Sequence, residues 1–184
     1  ADQSCSGVTP PEREKSVRII MGPAPDEDGL IAKKALEAAR AGARVLVIRN
    51  SVRSAVSLAR SLLSTDPDAP LLRVNGLPVV HHSRFPAQDR KTLDVAVERV
   101  LGKGSPSGIG AIVIGTQTLE QSLDIDADLL VTDPCPIDVM LQRIGRLHRH
   151  HRDDRPEGFR GPVCVIMDPS GVSGAALRRH GVGS

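Results

Sequence analysis

The chain has 184 residues, a net charge of +2, 40% hydrophobic and 25% charged residues. That length fits one domain large enough to bury a core without a disulfide or metal staple, and the composition excludes broad disorder. No apolar run approaches the roughly 18 residues that span a bilayer, and the three cysteines (Cys5, Cys135, Cys164) are odd in number and widely spaced, so a reducing, cytoplasmic setting is expected. Phe85 and Phe159 are the only aromatic residues apart from histidine, whereas arginine supplies 19 of the 24 basic residues. Base stacking on aromatic platforms is therefore nearly excluded, and any nucleic acid bound here would be held by its backbone.

Residues 1–16 read as a linker, 17–169 as the folded domain and 170–184 as a flexible tail. Val17–Met21 reads as a buried strand. Residues 27–41 put Leu30, Ile31, Ala35, Ala38 and Ala39 on one helical face, and Gly42 is a stop signal. Val45–Arg49 is a second strand, after which Asn50 or Ser51 can cap a helix carrying Val52, Ala55, Val56, Ala59, Leu62 and Leu63. Residues 64–76 read as a loop and Pro78–His81 as a weak strand. Pro86 opens a helix with Leu93, Val97, Val100 and Leu101. Ala111–Gly115 and Leu129–Asp133 are strands, and Pro136 stands at a first helical position before a helix over 137–148. A charged loop, 150–162, precedes a last strand, Val163–Asp168.

Continuously apolar strands alternating with helices predict an α/β fold, a single domain with a mostly parallel sheet and helices on both faces. Ligands of such sheets collect at the carboxyl ends of the strands. That selects Asn50–Ser51, His82–Ser83–Arg84, Thr116–Gln117 and Asp133–Pro134. No G-x-x-x-x-G-K-[ST] phosphate cradle is present. Asp26–Glu27–Asp28 opens a helix and reads as a helix-dipole feature rather than a metal box. His148, His150 and His151 lack further ligands for a metal, so no metal site is expected. His81, after two valines, reads as a satisfied buried histidine.

Residues 115–150 are the most informative. At about 100° per helical residue, Arg146 falls about 40° and Arg149 about −20° from Gln142. The three would share a narrow polar face opposite Ile137, Met140, Ile144 and Leu147. Two guanidinium forks and an amide on one face suit a phosphate chain; a solvated basic face is the alternative. Arg143 lies off that face and reads as a structural or interdomain ion pair.

Gln142-Arg-Ile-Gly-Arg146-Leu-His-Arg149 resembles motif VI of superfamily 2 helicases. Gly115-Thr-Gln-Thr-Leu-Glu120-Gln-Ser-Leu-Asp124 resembles motif V. Val45–Ser51 resembles motif IV, and His82-Ser-Arg-Phe-Pro-Ala-Gln-Asp-Arg90 the adjoining motif IVa. The H-S-R-F and R-L-H-R-H runs are similar to the CRISPR-associated helicase–nuclease of type I interference systems. The resemblance implies its second RecA-like lobe, with no counterpart of motifs I and II or of the HD nuclease domain.

By that resemblance, ATP and Mg²⁺ would be bound mainly by the first lobe. Arg146 and Arg149 would be fingers to the γ-phosphate, with Gln142 orienting phosphate or water beside them. Asp124 would contact the nucleotide, and Glu120 would couple its segment to the cleft. Thr116, Gln117, Asn50, Ser51, Ser83 and Arg84 would form a single-stranded-DNA track, with local capping an equal alternative for Asn50 and Ser51. The resemblance further implies 3′→5′ translocation after recruitment by an RNA-guided surveillance complex. The lobe alone is expected to be inactive as an ATPase. The alternatives are the corresponding lobe of another superfamily 2 RNA or DNA helicase, and a non-enzymatic nucleic-acid-binding module.

Overall fold

A computed structural model describes residues 15–120 and 123–170. In chain order the elements are β1 (Arg18–Gly22), α1 (Asp28–Arg40), β2 (Arg44–Ile48), α2 (Val52–Thr65), β3 (Arg73–Val74), β4 (Leu77–Pro78), α3 (Ala87–Leu101), β5 (Ala111–Gly115), β6 (Leu129–Thr132), α4 (Ile137–Ile144) and β7 (Val163–Met167). Short 3₁₀ turns lie at Gln117–Glu120 and Glu157–Phe159. Five strands form one sheet in the order β1-β7-β6-β2-β5. Every neighbouring pair is parallel, so all five carboxyl ends share one edge. Most of the expected linker (1–14) and nearly all of the expected tail (171–184) fall outside the described residues.

Strand alternation divides the core in two. Val45, Val47, Ile112, Ile114, Val131 and Val165 face α1 and α2. Leu46, Ile48, Val113, Leu130 and Cys164 face the other way, toward residues of α3 and α4. Both faces of β2, β5 and β6 are therefore buried along their whole length, which explains their unbroken Val/Ile/Leu runs. Burial also pushes the Cys164 thiol up to about 12, leaving it un-ionised and inert.

Several sequence expectations change. The strand expected to be buried, Val17–Met21, forms an edge of the sheet with Ile19 55% and Met21 58% exposed. Leu30 is 54% exposed: the buried stripe centres on Ala35, about 140° away around α1 at about 100° per residue. The expected loop 64–76 contains β3, which pairs with β4 as an antiparallel hairpin. Its turn residues Asn75 and Gly76 both have positive φ, 52° and 78°, the conformation a two-residue hairpin demands. Finally, α4 stops at Ile144 rather than 148. Leu147 instead pairs in parallel with Ala127, with the Ala127 N–H donating to the Arg146 carbonyl and the His148 N–H to the Ala127 carbonyl. That ladder pulls the backbone out of the helix. Lys15 Nζ donates to the freed carbonyls of Ile144 and Leu147. The first turn of α4 also lies beyond the end of β6, so Ile137, expected to be buried, is exposed.

Candidate functional site

The strand ends bring several expected residues together. Asn50 follows β2. Its backbone N–H donates to Asp133 Oδ2 (2.7 Å) and its Nδ2 to the Pro134 carbonyl (2.7 Å), while its Oδ1 accepts from Arg143 Nη2 (2.9 Å). Ser51 caps α2, accepting from the Ser54 N–H at 3.0 Å. The capping alternative thus accounts for Ser51, and Asn50 is engaged within the fold. Thr116 is buried directly after β5, and its N–H donates to the His81 carbonyl. Gln117 beside it is exposed and donates to the Asn50 carbonyl at 3.1 Å. Ser83 and Arg84 are exposed on the loop before α3, where His82 stacks on Phe85 at 4.5 Å.

Behind this edge lie two buried arginines. Arg49 contacts Asp133 through Nε (3.2 Å) and Asp28 through Nη1 (3.0 Å). That contact explains Asp28 at the start of α1 without any metal. Arg143, 1% exposed, binds Glu120, Thr132 Oγ1, the Asp133 carbonyl and Asn50. It is the structural ion pair expected for it. Glu120, read from the sequence as serving the cleft, has its carboxylate on Arg143 at 2.8 Å.

The remaining motif residues sit elsewhere. Because the helix ends at Ile144, Gln142, Arg146 and Arg149 do not share one helical face, which corrects the angular reading. Gln142 is exposed on α4. Arg146 is only 8% exposed, and its guanidinium donates to the carbonyls of Glu120 and Leu123. Burial, followed by neighbouring Arg149, lowers its pKa from the usual arginine range. Arg149 is delivered to the start of β6 rather than to the carboxyl edge. Its backbone N–H donates to buried Asp126 at 2.8 Å. Its side chain is 43% exposed and meets Asp124 at 3.0 Å, an acid shared with His150 at 2.9 Å. The backbone is fixed while the guanidinium stays at the surface.

Arg149 lines an open cavity of about 650 Å³ together with Lys15, His148, His151, Arg155 and Arg160. Sequence reasoning missed Lys15, assigned to the linker, and Arg155 and Arg160, assigned to a plain charged loop. Two fully buried acids anchor that loop. Asp126 meets Arg155 at 2.9 Å, Asp128 meets Arg152 at 3.3 Å and also binds Arg155. Arg152 further hydrogen-bonds Asp154, whose carboxyl falls to about 2. Among the described residues no group of three His, Cys, Asp or Glu could hold a metal ion.

His148, on the cavity wall, has a positive φ of 42° and a buried Nε2 without a hydrogen-bond partner among the described residues. Burial first, and then Arg155, lowers its pKa from 6.5 to about 4. The unfolded chain therefore binds this proton more readily. His148 contributes full stability above pH about 6.5 and loses it as pH falls toward about 4. His148→Asn tolerates the positive φ and removes the proton. Thermal melts across that range should show a shallower pH slope in the variant; equal slopes would refute the assignment.

Residues 41–152 match the family described as CRISPR-associated nuclease/helicase Cas3, C-terminal. This chain belongs to that family. It is 40% identical over 147 residues to the Cas3 endonuclease/helicase of Escherichia coli K12, covering 78% of this chain and 16% of the relative. It is 52% identical over 88 residues to that of Thermus thermophilus, covering 48% and 10%. The crystal structure of T. fusca Cas3 with ADP superposes with a TM-score of 0.73 at 28% identity, over 92% of this chain and 20% of that one. The chain therefore spans about a fifth or less of the Cas3 proteins it matches here. The fold is the helicase C-terminal lobe of Cas3, an α/β domain around a parallel sheet. Among the described residues no helix is long and apolar enough to cross a membrane.

Proposed function

We propose that this chain acts as the second, RecA-like lobe of an ATP-driven single-stranded-DNA translocase of CRISPR interference, closing over ATP and Mg²⁺ held mainly by a first lobe. One observation carries the reading: in a chain of the Cas3 family, Arg149 stands half-exposed at the rim of a cationic cavity, its backbone pinned and its guanidinium paired with the surface acid Asp124. A guanidinium so placed can leave Asp124 for the γ-phosphate when the lobes close. T. fusca Cas3 has been crystallised with ATP and with AMPPNP, which supports a nucleotide as the ligand. A similar chain occurs in an RNA-guided surveillance complex, which supports such a complex as partner.

In this reading Arg149 is the leading finger. Arg146 braces the segment bearing Asp124 through the carbonyls of Glu120 and Leu123 and completes the charge as the cleft closes. Gln142 orients phosphate or water, and Asp124 takes the nucleotide once Arg149 releases it. Thr116, Gln117, Ser83 and Arg84 contact DNA phosphates at the opposite, carboxyl edge; Asn50 and Ser51 shape that edge from within. Such contacts hold the strand without reading sequence. The two surfaces lie toward opposite ends of α4, so that helix links fuel to track.

The isolated chain should not hydrolyse ATP, and adding a first lobe should create DNA-stimulated hydrolysis. Arg84→Ala should raise the oligothymidylate concentration for half-maximal stimulation, with a shallower salt dependence because one fewer phosphate is neutralised. Robust ATPase activity from the isolated chain would overturn the two-lobe reading.

A further inference from the structure

His81 lies outside every helicase motif and is 1% exposed. Its backbone N–H donates to the Ile114 carbonyl (2.9 Å) and its carbonyl accepts from the Thr116 N–H (3.0 Å). A side chain at Gly115 would place its Cβ 2.6 Å from that same carbonyl, so glycine is what lets the two segments close. The imidazole then reaches in both directions. Nε2 lies 2.7 Å from Asp94 Oδ1 on α3, and Nδ1 lies 2.7 Å from Thr118 Oγ1 in the turn after β5. Asp94 accepts only, so Nε2 carries a proton. Nδ1 pairs with the Thr118 hydroxyl, which also reaches the His81 carbonyl at 3.5 Å.

A histidine serving the core alone needs partners anywhere. These two partners flank the proposed DNA track. Thr118 follows directly on Thr116 and Gln117, and Asp94 stands on the helix that Ser83 and Arg84 lead into. We infer that His81 is a positioning residue for nucleic-acid binding, fixing the Thr116–Gln117 turn relative to the Ser83–Arg84 loop so that both grip successive phosphates of one strand. The inference rests on the proposed DNA track.

The test uses a protein carrying both lobes and an oligothymidylate probe. Thr118→Val and His81→Gln should each raise the DNA concentration for half-maximal ATPase stimulation. The expected rise is about five- to tenfold, the loss of one buried hydrogen bond. Turnover at saturating DNA and the KM for ATP should stay within about twofold, because the leading finger, Arg149, hangs from Asp126 at the other edge. Thr118→Ser keeps the hydroxyl and should behave as the parent. Should His81→Gln fail to fold, Thr118→Val alone decides, since it keeps the shape of a half-buried side chain. A lowered Tm with an unchanged half-saturation point would show a purely structural histidine and overturn the inference. Arg84→Ala separates the two levels. If it weakens DNA stimulation while Thr118→Val does not, only the positioning role falls. If neither does, the DNA track falls and the positioning role with it.

Discussion

Arg149→Lys, made in a protein that carries both lobes, is expected to cut ATP turnover by about 10³–10⁵-fold, the usual worth of an arginine finger. Lysine keeps the charge but replaces a planar fork with a point charge, so it cannot span two phosphate oxygens. The fold should not notice. The side chain is 43% exposed and its acid partner Asp124 54% exposed, and such surface pairs contribute about 0–1 kcal/mol. The anchoring bond to Asp126 comes from the backbone and survives the substitution. Steady-state ATPase assays beside thermal melts therefore give a clear pattern: lost turnover, unchanged Tm and nucleotide affinity within a few-fold. Normal turnover in Arg149→Lys and Arg149→Ala would remove the finger assignment. Arg146→Ala should also lose turnover but lower Tm as well, because its guanidinium holds two backbone carbonyls. The two arginines of one motif are thus separable by stability.

The strands and most helices were legible because their signals are local. Continuous apolar runs marked β2, β5, β6 and β7, and the stop signal at Gly42 fell just past the end of α1. The β3–β4 hairpin was missed: Asn75-Gly76 suits a two-residue turn, but its strands are two residues each and carry no period. The end of α4 was not legible. It is decided by pairing between Leu147 and Ala127, twenty residues apart in sequence, against a segment whose own periodicity continued. Everything inferred from helical angles past Gly145 inherited that error. The cationic cavity was hidden for the same reason, since Lys15 and Arg160 lie far from Arg149 in sequence and meet only through the fold. Arg143 shows the reverse case: its place off the supposed finger face marked it correctly as structural.

Arg143→Ala should be the most damaging substitution in the lobe for stability. Its guanidinium is fully buried and joins four partners: the Glu120 carboxylate, Thr132 Oγ1 at 2.6 Å, the Asp133 carbonyl at 3.1 Å and Asn50 Oδ1 at 2.9 Å. Glu120 has a side chain 8% exposed, so removing the arginine strands a carboxylate away from water. Breaking one side of such a pair costs about 3–5 kcal/mol, against the roughly 5–15 kcal/mol that holds a domain together. Urea titration should move the midpoint down by a corresponding amount. Adding Glu120→Gln should recover part of the loss, since the stranded charge rather than the missing hydrogen bonds carries most of the cost. A double variant no more stable than Arg143→Ala would mean that the bonds to Thr132 and Asn50 dominate instead. The same four bonds tie the ends of β2 and β6 to the turn after β5. Arg143→Met/Glu120→Gln, where it folds, should therefore weaken the DNA stimulation of ATP turnover more than it weakens turnover itself, because the track is built on those three strand ends while Arg149 hangs from Asp126 at the other edge of the sheet.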